Sequence, residues 1–212
     1  MTHRALAAIF VAFFLTSCSL GPQKQAATPQ NITQQIGDLP GMHKCDSSGE
    51  VNAVLQTEKQ NGSPEYGVNA TEWAQWKRQG ASKAYFAVYG ASPADCAAVT
   101  ARSTGAPRAL MVGLVVQFQN ADVAQRNYGR ESNLMGLGPK DIRFIELAGG
   151  STTFGTATGL GPESVTGSGV VAGTNYFVAQ WQNKIFESDF IGYGVAPSDG
   201  QEAVLDMNKR IV

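Results

Sequence analysis

The chain predicts a single α+β domain with a twisted, mainly antiparallel sheet and helices packed on one face. Three observations lead there. Residues 175–182 and 185–193 alternate apolar and polar side chains around Asn183-Lys184, the pattern of a β-hairpin. Residues 109–118 form a Val- and Leu-rich apolar run of strand length, expected as a central strand buried on both faces. Helix-start chemistry recurs at Ser92, Asn120 and Ser198, so helices interleave with and close the sheet.

The amino terminus stands apart from that domain. Arg4 precedes an apolar run over residues 5–15, which ends on the small residues Thr16 and Ser17 before Cys18. A helix crossing a bilayer needs about 20 apolar residues, whereas the core of an export signal needs about 7–15. Leu15-Thr16-Ser17-Cys18 resembles the lipobox of bacterial lipoproteins: a branched apolar residue, two small residues, then cysteine. The resemblance implies that residues 1–17 are a cleaved signal and that Cys18 carries a diacylglyceryl thioether. The membrane would then be a partner through covalent lipid at Cys18. The domain would face outside the cytoplasm, on the cell membrane or the outer membrane. Ser19 replaces the Asp that serves this family as an inner-membrane retention signal. Two acyl chains, at about 0.8 kcal/mol per buried CH₂, hold a protein firmly where one does not.

Residues 18–40 follow as the lipidated cysteine and a tether. From position 19 this stretch has five Gln, three Pro and no aromatic residue. Such a composition cannot bury enough apolar surface to offset ordering entropy, so a flexible spacer is expected. The domain proper is expected over residues 41–212, one unit by ordinary size.

Within it, Asn61-Gly62-Ser63-Pro64 reads as a loop. Asn69 is expected to cap a helix with Glu72 at N3, Trp73 and Trp76 on its buried face and Gly80 at its end. Residues 83–89 alternate as a strand. Ser92-Pro93-Ala94-Asp95 then starts a helix with Cys96 in its first turn. After the central strand, Asn120 caps a helix whose Val123, Ala124, Tyr128, Leu134 and Met135 share a face, ending at Gly136. Residues 141–147 read as a strand, Gly149-Gly150 as a break, and 152–158 as the next strand. Gly136-Leu137-Gly138-Pro139 recurs as Gly159-Leu160-Gly161-Pro162; without the full glycine fingerprint or a P-loop lysine, both are turns leading into strands. In the hairpin, Phe177, Ala179, Trp181, Phe186 and Phe190 face the core, while Gln180, Gln182, Glu187 and Asp189 are expected on a wet face. The last helix starts at Ser198 with Gln201 completing a capping box, and Ala203, Val204, Met207 and Ile211 form its apolar stripe. This order of hairpin and terminal helix, with a Gly-Leu-Gly turn upstream, is similar to sensor-type extracellular domains of actinobacterial lipoproteins and receptor kinases. No diagnostic motif accompanies it, so no functional residue is transferred.

Charge and cysteines bound the chemistry. Without Arg4, the only charged side chain of residues 1–17, the 16 basic residues become 15 against 17 acidic ones, which gives no reason to expect a nucleic-acid partner. With Cys18 lipidated, Cys45 and Cys96 remain as an even pair in an oxidising setting, and a disulfide is expected. His43 with the two cysteines lacks a fourth ligand and paired spacing, so no metal site is expected. No cofactor motif is present. His43, the one histidine beyond the signal, has no Gly-x-Ser-x-Gly elbow to serve, so no catalytic residue is assigned. Glu187 and Asp189 share a strand face and are the only candidates for carboxylate chemistry. The expected function is therefore a non-catalytic, lipid-anchored binding or sensing module with a small-molecule or envelope-protein partner. A small hydrolase using carboxylates, or a passive structural lipoprotein, stands as the alternative. Tyr85, Tyr89, Phe118, Tyr176, Trp181 and Tyr193 are the aromatics a binding face would draw on.

Overall fold

The computed structural model describes residues 26–101, 108–130, 134 and 138–211. Cys18 and the signal lie outside the described residues, as do Met135, Gly136 and Leu137. Along the chain come α1 (Pro29–Ile32), β1 (His43–Lys44), β2 (Gly49–Glu50), α2 (Val51–Gln60), α3 (Tyr66–Arg78), β3 (Ala81–Gly90), α4 (Pro93–Ala101) and β4 (Leu110–Phe118). Then follow α5 (Ala121–Asn127), α6 (Pro139–Leu147), β5 (Ser151–Phe154), a 3₁₀ turn (Gly155–Thr158), β6 (Ser164–Val171), β7 (Thr174–Asn183), β8 (Phe186–Tyr193) and α7 (Pro197–Lys209). The strands make one antiparallel sheet in the order β1-β3-β4-β8-β7-β6-β5, with β2 also paired to β3.

The α+β class and the antiparallel sheet are as expected; the single helical layer is not. Two cores lie on opposite faces of the sheet. Tyr85, Ala87, Tyr89, Met111, Val115, Phe177, Trp181 and Phe190 point to the face covered by α1 and α7. Ala84, Leu114, Val116, Phe118 and Val178 point to the face covered by α2, α3, α5 and α6. Strands β3 and β4 are apolar at both odd and even positions, so each face needs a cover. Gly200 lets α7 settle directly on the ring of Phe177, where a Cβ would come within 2.6 Å of ring atoms.

The segment expected as the end of a flexible tether is built into the domain. Thr28 caps α1 through its side chain, and Ile32, Thr33 and Gln34 are fully buried. Tyr89 donates its hydroxyl to the Gln34 carbonyl at 3.0 Å, and Arg210 donates to the Thr33 carbonyl at 3.1 Å and to Asp38. The Gln34 side chain lies over Gly113, at a spot where a Cβ on residue 113 would stand 2.1 Å from its amide oxygen. Residues 28–38 thus form a strap across β3, β4 and the end of α7. Composition averaged over 18–40 hides this, because only Ile32 and its neighbours need to reach the core.

Several local expectations give way to tertiary context. Residues 141–147 belong to helix α6, not to a strand: Ile142 and Ile145, three apart, face the core and Pro139 lies in the first turn. Helix α5 stops at Asn127 and does not run on towards Gly136, because Gly129 adopts φ 79°. Helix α3 starts at Tyr66, so Asn69 sits inside it and its amide donates to Glu58 at 3.0 Å. Residues 152–158 split into the end of β5 and the 3₁₀ turn. Helix α7 begins at Pro197 without a side-chain cap, and Gln201 instead donates to the Thr158 carbonyl at 2.8 Å. The caps at Ser92 and Asn120 form as expected, accepting from the backbone N–H groups of Asp95 and Val123.

Candidate functional site

Alternation along β8 carries Glu187 and Asp189 to the α3/α5 face of the sheet, the face expected to be wet. Both are instead sealed, each with 1% of its surface exposed. In the ladder Glu187 stands between Val116 and Gln182, and Asp189 between Leu114 and Gln180. Helix α3 brings Glu72 to the same region, buried alongside Trp73 and Trp76. The turn that Gly129 imposes after α5 adds Tyr128 and Arg130, with the Gln180 amide donating to the Arg130 carbonyl at 3.3 Å.

Electrostatics follow from that burial. Loss of water pushes the Glu187 carboxyl well above the usual carboxylate range; the neighbouring Asp189 adds to the rise and Arg130 opposes it. Asp189 is pushed up to about 7, again first by burial; a hydrogen bond from Gln180 works against the rise and Glu72 adds to it. Tyr128 is raised to about 12 by burial and by the acids it faces, Glu163, Glu187 and Asp189. One oxygen of Glu187 and one of Asp189 have no hydrogen-bond partner among the described residues. Both carboxyls therefore hold their protons more tightly than free acids do, and each retains unused bonding capacity.

Glu72 and Arg130, which act electrostatically on these acids, also line an open groove of about 370 Å³, together with Val68, Thr71, Gln75 and Trp76 of α3. Glu72 is its buried wall and Arg130 its exposed rim. A second cleft, of about 270 Å³, runs between α2 and α3 past Leu55, Tyr66 and Trp73, with Lys59 over the Tyr66 ring and Lys77 over the Trp73 ring.

Of the residues singled out in the sequence, Cys45 and Cys96 are joined by a disulfide with Cα atoms 5.3 Å apart, tying the end of β1 to the first turn of α4. His43 is exposed in β1, paired with Gly90 at the sheet border, and lines neither cavity. Tyr85, Tyr89, Phe118 and Trp181 are core residues. Tyr176 and Tyr193 meet edge to face at 5.2 Å, half-buried. Leu160, in the second Gly-Leu-Gly-Pro copy, is buried in the α7 core, which accounts for that turn as packing. Among the described residues no three His, Cys, Asp or Glu side chains are grouped to hold a metal ion, and no helix is long and apolar enough to cross a membrane. Alternation placed Gln180 on the face of the two acids, whereas Glu72, Tyr128 and Arg130 carried no sequence signal for this site. They converge only because α3 and α5 lie over the same strands.

No family model matches the chain, and no curated protein matches it. Among solved structures, the extracellular domain of PknH from Mycobacterium tuberculosis matches with a TM-score of 0.36 and 15% identity. That match covers 62% of this chain and 66% of that one, a little under two thirds of its length.

Proposed function

We propose that the protein is a lipid-anchored, non-catalytic binding or sensing module of the bacterial envelope, displayed outside the cytoplasm from an acylated Cys18, with its ligand seat in the groove between α3 and Arg130. One observation carries the choice of binder over hydrolase. A general acid or base must come within hydrogen-bond reach of the bond it acts on. Glu187 and Asp189 are acids with raised pKa values, each has only 1% of its surface exposed, and neither lines the open groove beside α3. A solvent-facing cleft with a few convergent polar groups and, among the described residues, no accessible acid pair suits capture rather than turnover.

Two measurements test this reading. Metabolic labelling with a fatty acid is expected to mark the parent and to leave Cys18→Ser unlabelled; equal labelling of both, or of neither, removes the anchor. Native mass spectrometry of the full-length protein in detergent is expected to show a retained small molecule that is lost in a groove-filling Val68→Trp variant. Hydrolysis of an envelope glycan that disappears in Glu187→Gln would overturn the binding reading in favour of the carboxylate hydrolase.

A further inference from the structure

We propose that the cleft between α2 and α3 is a second binding seat, and that it takes an acidic oligosaccharide held by one anionic group toward each end. The two helices pack antiparallel: Asn52 stands opposite Trp73, Glu58 opposite Asn69 and Lys59 opposite Tyr66. The cleft of about 270 Å³ runs along that seam. Tyr66 and Trp73 lie seven positions apart in α3, about 10 Å along its axis at about 1.5 Å per residue. Lys59 rests over the first ring and Lys77 over the second, each with its ammonium 5.8 Å from the ring centre. A ring face attracts a cation, so the two rings hold one ammonium toward either end of the cleft.

The rest of the lining favours an anion. None of the described residues along the cleft is acidic, and neither lysine forms an ion pair with a carboxylate among the described residues. The acids nearest in sequence are engaged elsewhere and do not line it: Glu58 accepts from the Asn69 amide at 3.0 and 3.2 Å, and Glu65 from the Ser63 hydroxyl at 2.7 Å. An indole N–H can only donate, so its bond to Asn52 Oδ1 at 2.8 Å leaves the NH₂ group of that amide as the donor it offers. Gln56 adds a second amide, and Leu55 and Ala70 add apolar surface. The spacing then selects the ligand. A lone carboxylate or phosphate reaches one end of the cleft only, an amine meets two like charges, and a neutral sugar leaves both ammonium groups unused. A short chain of sugar rings bearing carboxylates sets its hydroxyls against Asn52 and Gln56, its C–H faces against Leu55 and Ala70, and its charges at Lys59 and Lys77.

The test is isothermal titration of the full-length protein in nonionic detergent with tetragalacturonate, beside galacturonate and the neutral maltotetraose. Tetragalacturonate is expected to bind about tenfold or more tightly than either. Lys59→Met and Lys77→Met are each expected to weaken it about fivefold, whereas Lys83→Met, at an exposed position of β3 outside the cleft, leaves it unchanged. Gln56→Trp, which fills the cleft and keeps both charges, is expected to abolish it. Lys59, Lys77 and Gln56 are all exposed, so these variants keep the fold. No binding of tetragalacturonate, equal binding of maltotetraose, or an equal loss in Lys83→Met overturns the proposal. The seat beside Arg130 is read separately, because Val68→Trp fills that groove and is expected to leave tetragalacturonate binding intact. If Val68→Trp removes the binding and Gln56→Trp does not, the sugar sits beside Arg130; the second seat then falls and the binding reading stands.

Discussion

Asp38 and Arg210 stand 172 positions apart and close an ion pair between the strap and the end of α7, with both guanidinium nitrogens on the carboxylate. Arg210 also donates to the Thr33 carbonyl at 3.1 Å, so one side chain fastens the strap at two places. Asp38 is 8% exposed and Arg210 26%, which moderates solvent screening without removing it. Arg210→Ala is expected to lower stability by about 1–3 kcal/mol, the range of charge-assisted hydrogen bonds. Arg210→Lys should recover only part of it, since an ammonium cannot grip a carboxylate with a planar fork. Urea denaturation midpoints of the three proteins give the comparison.

Ile32 is fully buried against the face covered by α7. Ile32→Ala is expected to cost about 2–5 kcal/mol, as deletions in a closed core do. A chain beginning at Gly41 should be far less stable than one beginning at Ala26, as read by thermal unfolding. Equal melting temperatures would mean that the strap is a passenger.

The amide of Gln34 is buried over Gly113 with neither its nitrogen nor its oxygen paired among the described residues. Replacing an unsatisfied buried amide with an apolar chain of similar shape relieves a cost of about 1–3 kcal/mol, so Gln34→Met is expected to stabilise the domain. Gly113→Ala should do the opposite, because its methyl group enters the space of the amide, and Gln34→Ala should rescue it. A double-mutant cycle measures that coupling.

Asp189 and Glu187 give the pH dependence a definite sign. Their carboxyls are raised in the folded state by burial, whereas in the unfolded chain they titrate near about 4. Above that value the unfolded state sheds protons that the folded state keeps. Stability from Asp189 is thus full below about pH 4 and is lost as pH climbs through about 7, and Glu187 acts in the same direction. Asp95, held low by the Ser92 hydroxyl and by Arg108, works in the reverse direction on the acid side. The measurement is therefore the difference between parent and Asp189→Asn. The variant is expected to gain about 1–3 kcal/mol relative to the parent between pH 4.5 and pH 8.

The disulfide spans 51 positions and encloses α2, α3 and β3. Replacing both cysteines with serine is expected to cost about 4 kcal/mol by chain entropy. Differential scanning calorimetry with and without reductant checks it, and the reduced parent should match the double variant.

How much of this was legible in the sequence depended on whether the signal was local. The hairpin, its turn at Lys184, the central strand and the caps at Ser92 and Asn120 are carried by neighbouring residues and were readable as such. Helix α6 was misread because Ile142, Phe144, Ile145 and Leu147 fit either period over so short a run; the exposure of Phe144 and Leu147 shows that only the helical one is used. The site was the least legible part. Gln180, Gln182, Glu187 and Asp189 carry the same alternation that a solvated strand face would. What dries Gln180, Glu187 and Asp189 is the arrival of α3 and α5, a long-range event without a mark at those positions; Gln182 stays half-exposed. Glu72 looked like a capping residue for the same reason: its role is set by the helix register, which Tyr66 begins three residues earlier than Asn69 would have.

The borders of the sheet are unequal in kind but alike in effect. One is divided between the two-residue strands β1 and β2, and the other ends in the four residues of β5. A strand arriving from another molecule would find only a short row of open backbone groups on either side, too few to template growth. The long, two-sidedly apolar strands most prone to fibrous association are kept in the interior of the ladder, so strand order itself resists self-association.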